Sequence, residues 1–224
     1  MSMGARLLPS PLAVATVLVA EVGDGTLPYH VGVTLARVAV SFALAMAVGA
    51  AIGLAMGRLR GLDRFFDGWL VLFLNIPALV TIVLCYVWFG LIESAAIAAV
   101  ALNKIPNVIV TLREGARALN RDYLEMAEVF RLGQAKTLRH IVLPELYPFI
   151  VAAARSGLAL IWKIVLVVEA FGRSSGVGFQ INTDFNNFDV ASILAYTVAF
   201  VVVIQLIELT ILRPLERRAN QWRR

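Results

Sequence analysis

Charged side chains are scarce in this chain, and several fall inside apolar runs. Arg155, Ala159 and Lys163 stand at i, i+4 and i+8, close to one face of a helix. Such a line of positive charge would draw an anion along a water-filled path. The plainer reading is structural: Lys163 snorkels or pairs with Glu169, and Arg155 lies toward the other end of the run. Lys104, beside Asn103 and Pro106 in the middle of another run, either pairs with an acid from a neighbouring helix or lines the path. Covalent chemistry has less to work with. Ser156, Ser174 and Ser175 lack a G-x-S-x-G setting. Cys85 is the single cysteine, and His30 and His140 are far apart, so no disulfide framework, metal site or HExxH-type motif is expected. Gly133-Gln134-Ala135-Lys136-Thr137 resembles only a fragment of a Walker A loop. No catalytic constellation and no cofactor of its own are expected, and the chain cannot supply ATP hydrolysis by a Walker A route.

The elements that carry these charges follow from composition. Of 224 residues, 60% are hydrophobic and 16% charged, against about half and a quarter in a soluble domain. Mean hydropathy is +0.81. These values exclude a disordered chain, a nucleic-acid arm and an ordinary soluble enzyme, and predict an all-α polytopic membrane protein. A spanning helix needs about 20 apolar residues. Residues 38–56, 68–92 and 190–212 supply three, the second interrupted at Asn75-Ile76-Pro77. Residues 94–112 and 148–168 are read as spans despite Lys104, Arg155 and Lys163. Each such charge costs roughly 2.5–3.5 kcal/mol on insertion scales, and neighbouring helices or water must shelter it. Five transmembrane helices result, within a permease-like domain over 31–212. Ser41, Ala45, Gly49, Gly53 and Gly57 recur every fourth residue in the first, a spacing that lets backbones approach closely. It predicts a packing seam within the subunit or between copies.

The net charge of +5 is an orientation signal. Arg58, Arg60 and Arg64 follow the first span. Arg113, Arg117, Arg121, Arg131, Lys136 and Arg139 lie in the 113–147 loop, and Arg213, Arg217, Arg218, Arg223 and Arg224 in the 213–224 tail. The positive-inside rule places these segments in the cytoplasm, which removes a nucleic-acid reading. The N-terminus is then outside. Within residues 1–30, Leu7–Val22 reads as a helix lying at the outer interface, or else as a short first span. The 169–189 loop is external.

The 113–147 loop is the most informative segment. Asp122 and Glu125 have the spacing of a helix N-cap and its N3 partner. Tyr123, Met126, Ala127 and Phe130 fall at i, i+3, i+4 and i+7, one apolar face. The face belongs either to a connector on the membrane surface or to a docking ridge for a partner's groove. Pro144 predicts a helix break before the next span.

Here a resemblance becomes specific. Binding-protein-dependent ABC importer permeases carry E-A-A, three residues, Gly, nine residues, I-x-L-P. Glu125-Met126-Ala127, Arg131 and Ile141-Val142-Leu143-Pro144 reproduce that spacing, with Met126 and Arg131 departing from it. Arg131 at the glycine position implies that the two flanking helices run closer to continuous. Leu8-Pro9-Ser10-Pro11, Asn75-Ile76-Pro77-Ala78, Glu169 with Ser175-Gly176-Val177-Gly178-Phe179, and Leu215-Glu216-Arg217-Arg218…Trp222 resemble the nitrate/sulfonate/taurine branch. Members usually carry a further span before the Leu-Pro-Ser-Pro segment, at which this chain starts, so the family's first helix is expected to be missing or to lie upstream.

The resemblance implies a multi-pass permease of the cell inner membrane, of the type I ABC importer kind, with a cytoplasmic C-terminus. It implies a second copy of the chain, a pair of ATPase subunits docked on residues 121–144, and an external binding protein that delivers substrate. Glu125 would face the ATPase or cap its helix. Lys104, Arg155, Lys163, Glu169, Gly176 and Gly178 are the candidate pathway residues, the last three in an external loop that dips back toward the path. The substrate would be a small organic or inorganic anion. The alternative is a secondary transporter or channel that works without an ATPase; it leaves the 121–144 loop without a role.

Overall fold

The computed structural model describes residues 8–215 and 217, apart from the side chains of Arg121 and Leu124. Residues 1–7, and most of the expected basic tail (216 and 218–224), lie outside the described residues. All regular secondary structure among the described residues is helical: α1 (Pro11–Gly23), α2 (Thr26–Arg58), α3 (Arg60–Asn75), α4 (Ala78–Phe89), α5 (Glu93–Arg117), α6 (Arg121–Val129), α7 (Gln134–Gly172), α8 (Val177–Asn186) and α9 (Val190–Leu215). Helices satisfy their backbone groups internally, as an apolar solvent requires. Four of them, α2, α5, α7 and α9, are long and apolar enough to cross a membrane. They contain the spans expected at 38–56, 94–112, 148–168 and 190–212.

The expected span at 68–92 is not one straight helix. It is divided between α3 and α4, which meet at 95°. Pro77 has no N–H to continue the α3 ladder, and it forces Ile76 into extended backbone (φ −70°, ψ 124°). Pro144 has the opposite outcome. The expected break is absent, and α7 runs through it for 39 residues. A wide π-turn over Leu138–Val142 precedes the proline. It shifts the hydrogen-bond register there, with the Leu143 N–H donating to the Leu138 carbonyl. The Leu8–Val22 region yields α1, capped by the Ser10 hydroxyl, which accepts from the Ala13 N–H at 3.2 Å, with Pro11 at its first turn. It packs along α2 and α9, and Glu21 accepts a 2.8 Å hydrogen bond from the Tyr196 hydroxyl.

Lipid tails are as apolar as the helices, so close packing and polar contacts must hold such a bundle together. The seam of small residues is where α2 meets α5, within the subunit. Ser41 and Ala45 are fully buried, and the Ser41 hydroxyl reaches the Ile97 carbonyl at 3.4 Å. Gly49, Gly53 and Gly57 lie against Val108, Ile109 and Ala116. A Cβ on Gly53 would stand 2.8 Å from the Ile109 carbonyl oxygen. That neighbour is helix backbone and cannot swing aside.

The second fastening is a buried polar hub at the α8 end. Arg37 of α2 donates to Glu169 of α7 (2.7 Å), to Glu93 of α5 (2.5 and 3.0 Å) and to the Ser175 carbonyl (2.6 Å). Arg173 adds a 2.8 Å bridge to Glu93. Three N–H groups at the start of α8 are taken up by side chains. Gly176 N–H donates to His30 Nδ1 (3.0 Å), Val177 N–H to the Thr34 hydroxyl (2.8 Å), and Gly178 N–H to Glu169 (2.9 Å). Gly176 holds φ +110° beside the Glu169 carboxylate, where a side chain has no room. Glu169 is therefore a cap and an ion-pair partner with no exposed surface. Glu169, Gly176 and Gly178, expected as pathway residues, are buried at this contact: the N-terminus of α8 needs an acceptor, and they supply and admit it. The 173–187 segment is likewise a helix for most of its length.

Two expected outcomes test these fastenings. Gly53→Val overpacks the α2–α5 seam and should lower stability by about 1–3 kcal/mol, read as a drop in Tm in detergent. Glu169→Gln removes one partner of a buried ion pair and should cost about 3 kcal/mol. Thermal unfolding followed by reactivity of the buried Cys85 thiol measures the loss.

Candidate functional site

The 113–147 segment is divided among the end of α5, the short helix α6 and the start of α7, at the end of the bundle opposite the hub. The cap of α6 lies two residues before the expected Asp122. Asn120 Oδ1 accepts from the Asp122 N–H at 2.9 Å. Its own N–H is held by Glu145 of α7 at 3.1 Å, which ties the start of α6 to the span that follows. Asp122 and Glu125 occupy the early turns instead, where negative charge suits the helix dipole.

The predicted apolar face divides in two. Tyr123, Met126 and Phe130 point outward, Phe130 with 72% of its surface free, and Val129 joins them. Ala127 is only 2% exposed and seats α6 on the bundle. Val129 lies off the i, i+3, i+4, i+7 face and was not legible from periodicity; it is exposed because the helix ends there. Glu125 is exposed. Ile141 is buried, whereas Leu143 and Pro144 are exposed on α7.

Arg131 keeps the turn that the sequence placed in doubt. It adopts φ +51°. Leu132 N–H donates to the Ala127 carbonyl (2.8 Å) and Arg131 N–H to that of Glu128 (2.9 Å), the paired bonds of a Schellman ending. So α6 and α7 are not continuous. Arginine carries the left-handed conformation that glycine adopts more cheaply.

Behind α6 lies a half-open cleft of about 1090 Å³, with Met56, Ala116, Leu119, Ala127 and Val142 on its apolar side and Arg58, Arg60 and Glu128 among its polar residues. Arg113 bridges Asp67 (2.5 Å) and Asp63 (3.3 Å), and Arg117 pairs with Asp63, locking α3 to α5 at this end.

The remaining candidate pathway residues separate by environment. Arg155, Ala159 and Lys163 share an exposed face of α7 as predicted. Arg155 pairs with Glu208 of α9 at 3.4 Å. Lys163 does not pair with Glu169, whose carboxylate is taken by Arg37. Lys104 is 1% exposed, beside Phe42 and Gly157, and no acid of another helix reaches it among the described residues. In α8, burial pushes Asp184 up to about 6; Gln180 donates to one of its oxygens (3.1 Å), and the other has no hydrogen-bond partner among the described residues.

Arg37, Thr34, His30 and Glu93 were missed by sequence reasoning. The signal was present: His30, Thr34 and Arg37 fall at i, i+4 and i+7, a polar stripe on an otherwise apolar helix.

Comparison with known proteins bears on this geometry. Residues 45–218 match the family described as binding-protein-dependent transport system inner membrane component. The chain is similar to the putative aliphatic sulfonates transport permease protein SsuC of Escherichia coli (strain K12), 35% identical over 79% of this chain and 67% of that protein. It is 26% identical to the taurine transport system permease protein TauC of the same organism, over 96% of this chain and 80% of that one. In fold it resembles a chain of the inward-facing MetNI methionine ABC transporter, with a TM-score of 0.67 and 21% identity over 81% of this chain and 92% of that chain. The chain belongs to the binding-protein-dependent transport system inner membrane component family and is a multi-pass permease subunit of an ATP-driven importer.

Proposed function

We propose that two copies of this chain form a translocation path for a small organic or inorganic anion, driven by a separate pair of ATPase subunits that dock on residues 121–144. The α6 end and the C-terminus face the cytoplasm, and the α8 end faces outward, where a binding protein delivers substrate. One observation carries the reading. Tyr123, Met126, Val129 and Phe130 form an exposed apolar ridge on a helix that is capped, seated and set apart from the spans. A ridge outside the bilayer has no lipid to cover it and fits a protein groove. Glu125 stands exposed beside it, and Ile141, Leu143 and Pro144 lie on the early turns of α7, Leu143 and Pro144 exposed. The arginine-rich segments at this end agree with a cytoplasmic placement. The anion follows from the sulfonate and taurine named for the relatives, and from the exposed Arg155 and Lys163. ATP hydrolysis belongs to the partner, and closure of the ATPase pair reaches the spans through α6. A secondary transporter or channel gives the ridge no role.

Phe130→Asp places a charge in the docking groove and should abolish co-purification of the ATPase and ATP-dependent uptake while the permease still assembles. Undiminished uptake without any ATPase overturns the reading. For the turn that sets the ridge, Arg131→Gly should be more stable than Arg131→Ala by about 1 kcal/mol, since both remove the side chain and only glycine relieves the left-handed backbone. Thermal unfolding of the two variants side by side measures the difference.

A further inference from the structure

The middle of α5 carries a polar face that packing leaves unexplained. The helix is 25 residues long, about 37 Å, and Asn103 and Asn107 sit one turn apart on either side of its midpoint. Both side chains are half-buried, and neither amide makes a hydrogen bond with any described residue. Thr111, half-buried another turn on, continues the stripe; its hydroxyl bonds back to the Asn107 carbonyl at 3.0 Å. An amide facing lipid at this depth would lose its water without replacement. Water or polar groups must therefore meet this face.

The sign of the local charge selects what else meets it. Lys104 lies between the two asparagines, with its stem over Gly157: a Cβ there would be 2.9 Å from Lys104 Cε. Its ammonium has no acid partner among the described residues. The acids of the spans lie toward the ends and are engaged. Glu93 and Glu169 hold Arg37, Asp63 and Asp67 hold Arg113, and Glu208 holds Arg155. A buried, uncompensated cation in a low-dielectric surrounding attracts negative charge strongly.

We propose that Asn103 and Asn107 contact the transported anion at mid-membrane, and that Lys104 supplies the positive potential from behind them. Amide N–H groups bind an oxyanion through neutral hydrogen bonds, strong enough to replace water and weak enough to release it. The lysine, sealed from direct contact, biases the site without trapping the anion in an ion pair. The assignment rests on the importer reading and gives the site its substrate class.

Cysteine accessibility tests it without knowing the substrate. With the single native cysteine replaced (Cys85→Ala), Asn103→Cys and Asn107→Cys are labelled in the assembled complex in proteoliposomes. The probes are a sulfonate-bearing and a trimethylammonium-bearing methanethiosulfonate, and Val87→Cys and Val198→Cys on exposed apolar faces serve as references. Both α5 cysteines should react about tenfold faster than the references. The anionic reagent should be favoured at least about threefold over its ratio at a free thiol. Lys104→Gln should abolish that preference and Lys104→Arg should keep it. Labelling as slow as the references means the face is covered by lipid or a second copy, and overturns the assignment. So does a preference absent with Lys104 intact, or unchanged by Lys104→Gln. Should Lys104→Gln not assemble, the preference at Asn107→Cys with Lys104 intact decides. Labelling needs no ATP, so this assignment and ATPase docking on α6 fail separately.

Discussion

The Arg37–Glu169 ion pair is the contact on which the α8 end of the bundle depends. A guanidinium in the interior of a membrane protein is costly by itself. Here its donors are divided among two carboxylates and the carbonyl and hydroxyl of Ser175, so α2, α5, α7 and the segment leading into α8 are fixed by one side chain. Glu169 in turn accepts from the Thr34 hydroxyl and from the Gly178 N–H. Each partner would be an unsatisfied charge without the others, which makes the hub cooperative. The placement of α8, and of Asp184 within it, follows from this arrangement.

The opposite end is fastened by different means. Arg113 and Arg117 of α5 meet Asp63 and Asp67 of α3, partly in reach of solvent, where each pair contributes less. Between the two ends, α2 and α5 are held by shape along the line from Ser41 to Gly57. The bundle thus combines a polar clamp centred on the buried Arg37–Glu169 pair, a steric seam and a more exposed ionic clasp. Of the three, the steric seam tolerates the least change of side-chain volume.

Much of the fold was legible in the sequence because a bilayer enforces simple rules. Apolar runs of sufficient length become spans, and four of the five expected positions proved to be single helices. The seam was readable from its four-residue period, though not which helix it would meet. What failed was local. Pro77 and Pro144 read alike as breakers, yet Pro77 ended a helix and Pro144 did not, because a π-turn absorbed the second. Arg131 departed from the expected glycine, and the turn persisted because its hydrogen bonds outweigh the strain of one residue. In the candidate site, the spacing of the α6 face located the ridge but did not show that Ala127 would point inward. Glu169 was noticed, but its role as cap and ion-pair partner was not legible, since its partner Arg37 sits 132 residues away and was passed over as the edge of an apolar window.

The unbroken course of α7 has a mechanical consequence. Its 39 residues make a rod about 58 Å long, with the turn after α6 at one end and Glu169 near the other. A rod pivoting at its middle converts angle into travel: a tilt of 5° moves each end by about 2.5 Å, in opposite directions. That travel approaches the length of a hydrogen bond, so a small rotation at the α6 end is enough to make or unmake the contacts of the hub. The π-turn at Leu138–Val142 is the one place along the rod where the helical ladder is wound wider. It lies between the turn and the spanning part, the position of a flexure in a lever.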